Sequence, residues 1–396
     1  MKNIPITLVM LLMGVGLGCS PKENEKQKSS KQSFHLEVVD SVLVEDIIAR
    51  QLIFQTASEE FLFFRDGVHP RVLAFTQDGV PVHDWTKEGD DPGAFIITTD
   101  NLICTQEGNV VTHDSMNGIR VFQPNGDLVF SKRSEAGMPS SFHKLFNIYR
   151  DNQVIEKEGV EYLLHHRDVM EAGEGWNHTF FAQRKNLLVT NLENGETKNI
   201  LPFPKGSKFL NGKAFAFEDF RPVFYFDEDA EILYLAFQNE DILYMYDFSS
   251  DQPALVRSLP LNIPGFGGNK GRAFEEIDFG ELVVDNYPAR ILSMEMVDDK
   301  ILISYTRAAT SEELRDLQGV MVKETRRHKM NELWKKLSSE VMVLRDEEVV
   351  TYQMEMPDMA FNSFRVIGED IWFMKPLREE VEQEDFLVYK ARLVEK

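Results

Sequence analysis

Short apolar runs separated by turn-forming residues recur along most of this chain. Three of them follow one another between residues 232 and 259, at Ile232–Phe237, Asp241–Asp247 and Ala254–Leu259. Asn239-Glu240 separates the first two runs, and Ser249-Ser250-Asp251 separates the last two. Aromatic and β-branched runs bounded by such residues predict strands, so this stretch predicts three strands in a row.

The same unit recurs about six times, which indicates a repeat protein. Its inner strands are predicted at Phe61–Phe64, Asn109–His113, Val160–His165, Ile232–Phe237, Lys300–Tyr305 and Asp370–Met374. More outward strands follow at Arg71–Thr76, Gly118–Phe122, Asn186–Thr190, Asp241–Asp247, Glu340–Arg345 and Asp385–Tyr389. In the first three units a turn comes next, at Asp78-Gly79, Asn125-Gly126 and Asn194-Gly195, and these pairs supply the positive φ that tight hairpins need.

The sixth unit differs, because its outward strand runs straight into Ala391–Val394 and the chain stops. A four-stranded blade needs an outermost strand, and the strand-like segment His35–Val44 ahead of the first repeat could supply it. Closing a ring with strands from both termini removes exposed sheet edges. The pattern therefore predicts an all-β fold, a six-bladed β-propeller closed by an N-terminal strand. Irregular repeat lengths leave five or seven blades as alternatives.

Two insertions separate the second and third strands of blades, at Arg167–Phe180 and, in the fifth blade, at about 307–339. Within the longer one, Ser311–Leu337 has strong helix formers, no Pro and apolar residues at helical spacing. Thr310 or Ser311 ahead of two Glu residues is typical of an N-cap. The segment predicts a helical excursion, divided at Gly319, that either covers blade edges or binds a partner or gates an entrance.

Residues 1–18 have the pattern of a secretory signal, in which one Lys precedes an apolar run too short to span a bilayer. The run ends at Gly16-Leu17-Gly18-Cys19, which resembles a bacterial lipobox with Gly16 where Leu is usual. That resemblance implies cleavage before Cys19 and its lipidation, and the alternative is an ordinary signal peptide with an incidental Cys. Residues 19–33 are polar and charged and predict a flexible tether, so the propeller is expected over 34–396.

The formal net charge of -22 at pH 7 narrows the range of partners. A field of that sign repels nucleic acid and anionic lipid surfaces, so no nucleic-acid partner is expected. Contact with a membrane is expected only through the lipid on Cys19. Cys104 is the one other cysteine, and it predicts a buried free thiol rather than a disulfide framework.

One segment carries a family resemblance. Arg71–Phe95 reads RVLAFTQDGVPVHDWTKEGDDPGAF, with an Asp-Gly turn followed by a glycine-rich stretch, Pro-Gly and an aromatic residue. This is similar to the blade motif of bacterial six-bladed propeller lipoproteins of the TolB-like and NHL-like group. The resemblance implies a propeller fold and an outer-membrane lipoprotein facing the periplasm or the cell surface. It implies no particular activity, because propellers host unrelated functions.

Two clusters of chemically active residues stand out. His165-His166, with Asp168, Glu171, Glu174 and His178, is the densest set of ligand-type residues, but adjacent strand positions point to opposite faces. A solvated loop is therefore favoured over a metal site. Acidic runs at Asp227–Asp229 and Glu379–Asp385 are interpreted as solvated turns rather than calcium sites.

The segment from Pro264 to Gly271 is glycine-rich but lacks the spacing of a phosphate-binding loop. It predicts a loop between blades at a rim, where Phe266, Lys270 and Arg272 are candidate ligand contacts. The sequence shows no recognisable catalytic constellation, and it assigns no cofactor and no metal-binding residue. It favours a binding or scaffolding module for a protein, peptide or glycan partner. The alternative is an envelope hydrolase or lactonase-like enzyme with a divalent cation in the central channel.

Overall fold

The computed structural model describes residues 33–396 except for several short segments. The exceptions are 46, 50–51, 88, 90–93, 95–101, 115–117, 134–137, 140–151, 168, 171–176, 251, 277–287, 319, 321, 338, 358, 360–363 and 376–384. The predicted signal peptide, Cys19 and nearly all of the tether therefore lie outside the described residues, as do Gly319 and most of the second acidic run. Gln32–Lys396 forms one compact unit.

Six four-stranded antiparallel sheets make up this unit, and each is one blade. The first three blades are β2 (Leu52–Ala57), β3 (Phe61–Asp66), β4 (Arg71–Thr76) and β5 (Pro81–Thr86); β6 (Ile103–Cys104), β7 (Val110–Asp114), β8 (Gly118–Phe122) and β9 (Leu128–Lys132); and β11 (Asn152–Lys157), β12 (Val160–His166), β14 (Lys185–Asn191) and β15 (Thr197–Pro202). A separate two-stranded sheet pairs β10 (Met138–Pro139), from the connection before blade 3, with β13 (Val169–Met170), from the connection between the second and third strands of blade 3.

The other three blades complete the ring. They are β16 (Pro222–Asp227), β17 (Ile232–Phe237), β18 (Ile242–Asp247) and β19 (Ala254–Pro260); β20 (Arg290–Val297), β21 (Lys300–Thr306), β22 (Glu340–Arg345) and β23 (Glu348–Thr351); and β24 (Arg365–Ile367), β25 (Asp370–Met374), β26 (Phe386–Glu395) and β1 (Phe34–Val44). The predicted inner strands are thus the second strands of their blades. The six-bladed all-β prediction is confirmed.

The first strands of the blades surround the centre, because β2, β6, β11, β16, β20 and β24 each contact the next in turn, and β24 contacts β2. Gln55 in β2 ties three blades together. Its main-chain oxygen accepts a hydrogen bond from Arg365 Nε of blade 6 at 2.8 Å. Its side-chain Oε1 accepts one from the main-chain N–H of Leu102, just before blade 2, at 3.1 Å. The ring is therefore closed by hydrogen bonds as well as by packing.

The N-terminal strand closes blade 6, as predicted. β1 pairs antiparallel with β26 from Phe34 opposite Glu395 to Val44 opposite Phe386. Phe34, Leu36 and Val44, near the two ends of the strand, are buried, whereas the five residues from Glu37 to Ser41 between them are exposed, so β1 packs into the core at its ends. β1 covers the outer edge of β26, so that edge is not open to pairing with another chain, and β1 becomes the outermost strand of the blade.

The short connections between strands and the long ones are at opposite ends of the ring. Each hairpin joining first to second strands, or third to fourth strands, spans at most six residues, and all of these lie at one end, which we call the turn face. All connections of seven or more residues join strand ends at the opposite end, which we call the loop face. They are 45–51, 87–102, 133–151, 167–184, 203–221, 261–289, 307–339, 352–364 and 375–385.

The predicted Asn-Gly and Asp-Gly turns belong to the turn face, and one of them shows why glycine is required there. Gly126 has φ +87°, and a Cβ at this position would lie 2.7 Å from the ring of Trp85 in the preceding blade. Trp85 Nε1 donates to the main-chain oxygen of Pro124 in the same turn at 3.1 Å. A side chain at Gly126 would therefore be strained by the backbone and would also push two blades apart.

The long insertion in blade 5 is helical, as predicted. It holds α3 (Ser311–Gln318) and α4 (Lys323–Lys336), whereas α1 (Phe180–Gln183) and α2 (Phe217–Phe220) are single turns in other loop-face connections. Thr310 caps α3, since its Oγ1 accepts from the N–H of Glu313 at 3.3 Å and its own N–H donates to Glu313 Oε2 at 2.8 Å. This reciprocal pair is a capping box.

Cys104, which the sequence predicts to be a buried thiol, packs beside the core cluster around Phe63 and Val110 and is half-buried rather than fully buried.

Replacing Phe34 by Ala tests the closure of blade 6. Phe34 is 1% exposed, so we expect Phe34→Ala to lower the free energy of unfolding by about 3–5 kcal/mol, the usual cost of deleting a buried aromatic ring. The matched control is Leu43→Ala in the same strand, where the side chain is 41% exposed and the expected cost is below about 1 kcal/mol. Urea unfolding measures both, and equal losses would show that β1 is not seated as described.

Candidate functional site

Three segments of the loop face meet beside blade 4. They are the connection 203–221, the turn 238–241 and the first part of the connection 261–289. The pairing of Pro222 with Phe237, and of Ile242 with Pro260, brings the ends of all four strands of this blade to the same edge. The segments attached to those ends are therefore neighbours, although they are far apart in sequence.

Glu240 is the first buried charge in this region. Its carboxylate is 4% exposed and accepts from Ser207 Oγ at 3.0 Å, from the main-chain N–H of Lys208 at 2.7 Å and from Tyr244 Oη at 3.0 Å. Burial raises the pKa of Glu240, although these three donors oppose the effect. The carboxylate thus fixes the start of the short 3₁₀ helix Lys208–Leu210 against blade 4.

Lys208 reaches from that helix to two other segments. Its Nζ donates to Asn239 Oδ1 at 2.7 Å, to the main-chain oxygen of Asn269 at 3.2 Å and to the main-chain oxygen of Asn239. The rings of Phe209 and Phe215 lie 5.3 and 5.6 Å from the ammonium. Burial lowers the pKa of Lys208 to about 8, while the charges of Asp219 and Glu240 oppose that shift. All three N–H donors of the ammonium have acceptors, so Lys208 holds the three segments together.

Asp219 and two asparagines complete the cluster. Asp219 is 1% exposed and accepts from Asn269 Nδ2 at 2.9 Å. Asn239 Nδ2 donates to the main-chain oxygen of Ala289 at 2.6 Å, and Asn239 Oδ1 accepts from the N–H of Asn269 at 2.6 Å. Burial raises the pKa of Asp219 to about 6, against the charges of Arg290 and Lys208, which lower it. We call Lys208, Asp219, Asn239, Glu240 and Asn269 the polar hub.

The sequence-predicted contacts Phe266, Lys270 and Arg272 lie on the loop that the hub holds. Phe266 packs against the core cluster of blades 4 and 5, and Lys270 is exposed to solvent. Arg272 exchanges two main-chain hydrogen bonds with Ala214, each of 2.9 Å. Lys270 and Arg272 therefore share one loop at the rim, whereas the ring of Phe266 belongs mainly to the core. Their role in binding stays a prediction.

Gly271 shows how closely this loop is packed. It has φ +68°, and a Cβ there would lie 2.7 Å from the ring of Phe215. On the other side of the loop, a Cβ at Gly267 would lie 2.8 Å from Cβ of Ala308, at the start of the helical insertion. The glycines of this loop therefore permit close approach to its neighbours, a role different from the cradling of a phosphate.

Sequence reasoning missed the hub. Asn239-Glu240 was interpreted only as a turn, yet the two residues are 0% and 4% exposed. Asp219 lies in Phe217-Glu218-Asp219-Phe220, where a buried carboxylate between aromatic residues leaves no periodic signal. The detectable sign was a run of polar residues, Gln238–Asp241, directly after an apolar strand, but the same sign is typical of solvated turns.

The histidine-rich cluster is arranged differently from its prediction. His165 and His166 are buried at the end of β12 rather than solvated, and the ring of His113 lies 4.4 Å from that of His165 and 6.4 Å from that of His166. His178 lies elsewhere, 3.2 Å from Glu275, and Glu171 and Glu174 are outside the described residues. Among the described residues, no three His, Cys, Asp or Glu side chains are grouped so that they could hold a metal ion.

The first acidic run is a solvated turn, as predicted, and Asp227 Oδ1 caps it by accepting from the N–H groups of Asp229 and Ala230 at 3.1 Å.

Within the described part of the chain, no helix is long and apolar enough to cross a membrane.

These features define the class of protein: a six-bladed β-propeller whose loop face carries a buried polar hub and a helical insertion. No protein-family model matches the chain, and no curated protein matches it in sequence. Among solved structures it is similar to a member of the DUF4221 family from Bacteroides vulgatus, with a TM-score of 0.57 and 10% identity over 92% of this chain and 100% of that one.

Looser likenesses include an exported protein of Bacteroides fragilis and the virginiamycin B lyase of Staphylococcus aureus. The first has a TM-score of 0.49 and 10% identity over 91% of this chain and 95% of that one. The second has a TM-score of 0.39 and 10% identity over 90% of this chain and 100% of that one. At 10% identity, the likeness to the DUF4221 member shows the fold and no activity.

The pH dependence of stability tests the hub. Because burial raises the pKa of Asp219 from 3.8 to about 6, its folded state binds the proton more tightly, and the contribution of this group to stability falls as pH rises from about 4 to about 6. The side chain of Asp219→Asn does not titrate, so the variant does not lose this contribution to the free energy of unfolding as pH rises. The free energy of unfolding of the variant, relative to the parent, should therefore rise by about 2–3 kcal/mol between pH 4 and pH 7.

Urea unfolding at several pH values measures this difference, and Asp78→Asn in an exposed turn is the matched control for the loss of one carboxyl group. A pH-dependent difference for Asp219→Asn that is no larger than the one for Asp78→Asn would show that the Asp219 carboxyl is not buried as described.

Proposed function

We propose that this protein is a lipid-anchored component of the bacterial cell envelope that binds a protein, peptide or glycan partner through its loop face. The observation that carries the proposal is the division between the two faces. Every connection of seven or more residues starts and ends at the loop face, whereas the strand ends at the turn face are joined by hairpins of at most six residues. Binding residues are concentrated on loops that a rigid scaffold positions, and a propeller is such a scaffold.

The polar hub supports this proposal because it makes part of the loop face rigid. A loop that is already ordered loses less conformational entropy when it binds than one that orders on contact. The loop from Ile263 to Arg272 is held by Lys208 at Asn269 and by paired main-chain hydrogen bonds at Arg272. Lys270, exposed between these two fixed points, is therefore presented in a defined position.

The proposed localisation in the cell envelope is based on the N-terminal sequence. The apolar run ending at Cys19 supports export and lipidation, and the polar segment behind it supports a tether. Several acyl chains on one residue give stable anchoring, whereas a single chain gives only marginal binding. An outer-membrane lipoprotein that faces the periplasm or the cell surface is the expectation that follows.

The rival hypothesis is a hydrolase or lactonase-like enzyme with a divalent cation in the channel. It requires carboxylates and amides from several blades to converge at one mouth, and the described residues offer no such group of acidic or histidine ligands. Metal analysis of protein purified without chelator, with calcium and zinc thermal-shift titrations, separates the two hypotheses. A melting temperature that rises and saturates at one site would favour the enzyme, because a ligand of the folded state stabilises it.

Photo-cross-linking in intact cells tests the binding face. A photoreactive amino acid in place of Lys270 should give a discrete adduct, and the same residue in place of Ser250, in an exposed hairpin of the turn face, should not. Adducts from both positions, or only from Ser250, would contradict the proposal.

Replacing Cys19 tests the anchor separately. Cys19→Ser should abolish metabolic labelling with an alkyne fatty acid and move the protein from the membrane fraction to the soluble fraction. Cys104→Ser is the matched control and should leave both unchanged. Labelling that persists in Cys19→Ser would show that the lipid is attached elsewhere.

A further inference from the structure

The helix α4 reverses the charge of the molecule locally. Its fourteen residues, Lys323–Lys336, contain six Lys or Arg and two Glu, in a chain whose net charge is -22. The preceding helix α3 has the opposite balance, with Glu312, Glu313 and Asp316 against Arg315. The excess of positive charge is therefore a property of α4 and not of the whole insertion.

The charged side chains of α4 that the structure describes are exposed to solvent, because the apolar side of the helix packs against α3. Leu333 and Leu337 are 4% and 3% exposed and pack with Met330 against Leu317 of α3. Lys329 Nζ donates to the main-chain oxygen of Asp316 at 3.1 Å, which fixes the two helices to each other. Outside this contact, Arg326, Arg327, His328 and Lys336 are exposed.

The positions of these charges do not favour the helix itself. Lys323, Arg326 and Arg327 are three or four residues apart and near the N-terminal end, where like charges repel and the helix dipole favours acidic residues. The N-cap position is Val322, which provides no capping hydrogen bond and is 61% exposed. Among the described residues, Arg326 and Arg327 have no carboxylate partner. Helix stability therefore does not account for this concentration of positive charge.

We infer that α4 is a docking site for an acidic polypeptide segment of a partner protein. The inference deepens the proposed function and rests on it, because the helix belongs to the loop face. Arginine side chains pair with carboxylates through two parallel hydrogen bonds, so neighbouring arginines suit a row of Asp and Glu residues. Fourteen helical residues span about 21 Å, which matches about six residues of an extended peptide.

The rest of the molecule restricts the size of that partner. With six Lys or Arg and two Glu, α4 has a net charge of +4, so the rest of the chain has a net charge of -26, and charges repel one another over about 8 Å at physiological ionic strength. An extended polyanion, such as a nucleic acid, a sheet of anionic lipid or a long acidic polysaccharide, would overlap this acidic surface and be repelled. A short acidic segment can contact the helix alone, so a peptide fits the charge distribution better.

Charge reversal tests the docking site. The probe is a fluorescein-labelled peptide of ten Glu residues, titrated with the purified protein at low salt and followed by fluorescence anisotropy. We expect saturable binding that weakens as salt is added and that falls at least about tenfold in Arg326→Glu/Arg327→Glu, equivalent to about 1.4 kcal/mol. Because acidic residues suit this end of a helix, the variant should fold and keep its melting temperature.

The matched control makes the same change of net charge elsewhere. Lys185→Glu/Lys205→Glu reverses two exposed lysines outside the insertion and should change the Kd less than about twofold. Equal weakening by the two variants would overturn the inference, because binding would then follow net charge alone. Absence of saturable binding to the peptide would overturn it as well.

Competition identifies the class of partner. An alginate oligomer of equal charge should displace the peptide poorly, and displacement at equal concentration would overturn the choice of a polypeptide. The proposed function and this inference can fail independently. If the adduct at position 270 persists in Arg326→Glu/Arg327→Glu, the loop face is still a binding surface but α4 is not part of it, and the inference is overturned. If no adduct forms at position 270 in the parent protein, the proposed function fails.

Discussion

Closure of the ring is the constraint on which the rest of this structure depends. Each blade buries its faces against its two neighbours, so a missing strand in blade 6 would expose the core on both sides of it. β1 supplies that strand and pairs with β26 along nearly its whole length. Nearer the centre, the hydrogen bonds of Gln55 join blade 1 to blade 6 on one side and to blade 2 on the other. The first and last strands of the propeller are therefore as important to the core as any strand between them.

The closed ring makes an irregular loop face tolerable. Connections of many lengths can be attached to one end of the blades because none of them is needed to hold the sheets together. The polar hub then orders part of that face with groups that are costly to bury, including an ammonium and two carboxylates. Each has a hydrogen-bond partner on a different segment, so removing one of the three leaves a buried partner unsatisfied. This arrangement favours a single conformation of the rim loop.

Much of the fold could be predicted because strands, hairpins and helices each leave a local signal. The Asn-Gly and Asp-Gly turns, the periodic apolar residues of the insertion and the capping pair of Thr310 and Glu313 all act over a few residues. The closing strand was predictable from a count of strands in the last unit. The hub was not, because Lys208 and Asp219 come from one loop, Asn239 from a second and Asn269 from a third, and these loops meet only once blade 4 has formed. The burial of His165 and His166 likewise depends on a neighbouring blade, through His113.

The direction of β1 has a mechanical consequence. Ser33 and Lys396 are joined by a main-chain hydrogen bond at the turn-face end of β26, so residue 33 lies at the end of the ring away from the long loops. A pull on residue 33 along the strand loads the hydrogen bonds between β1 and β26 in shear, all at once, rather than opening them one after another. Under the proposed function, tension between the N-terminal segment and a partner on the loop face would therefore be resisted by the whole β1–β26 pairing.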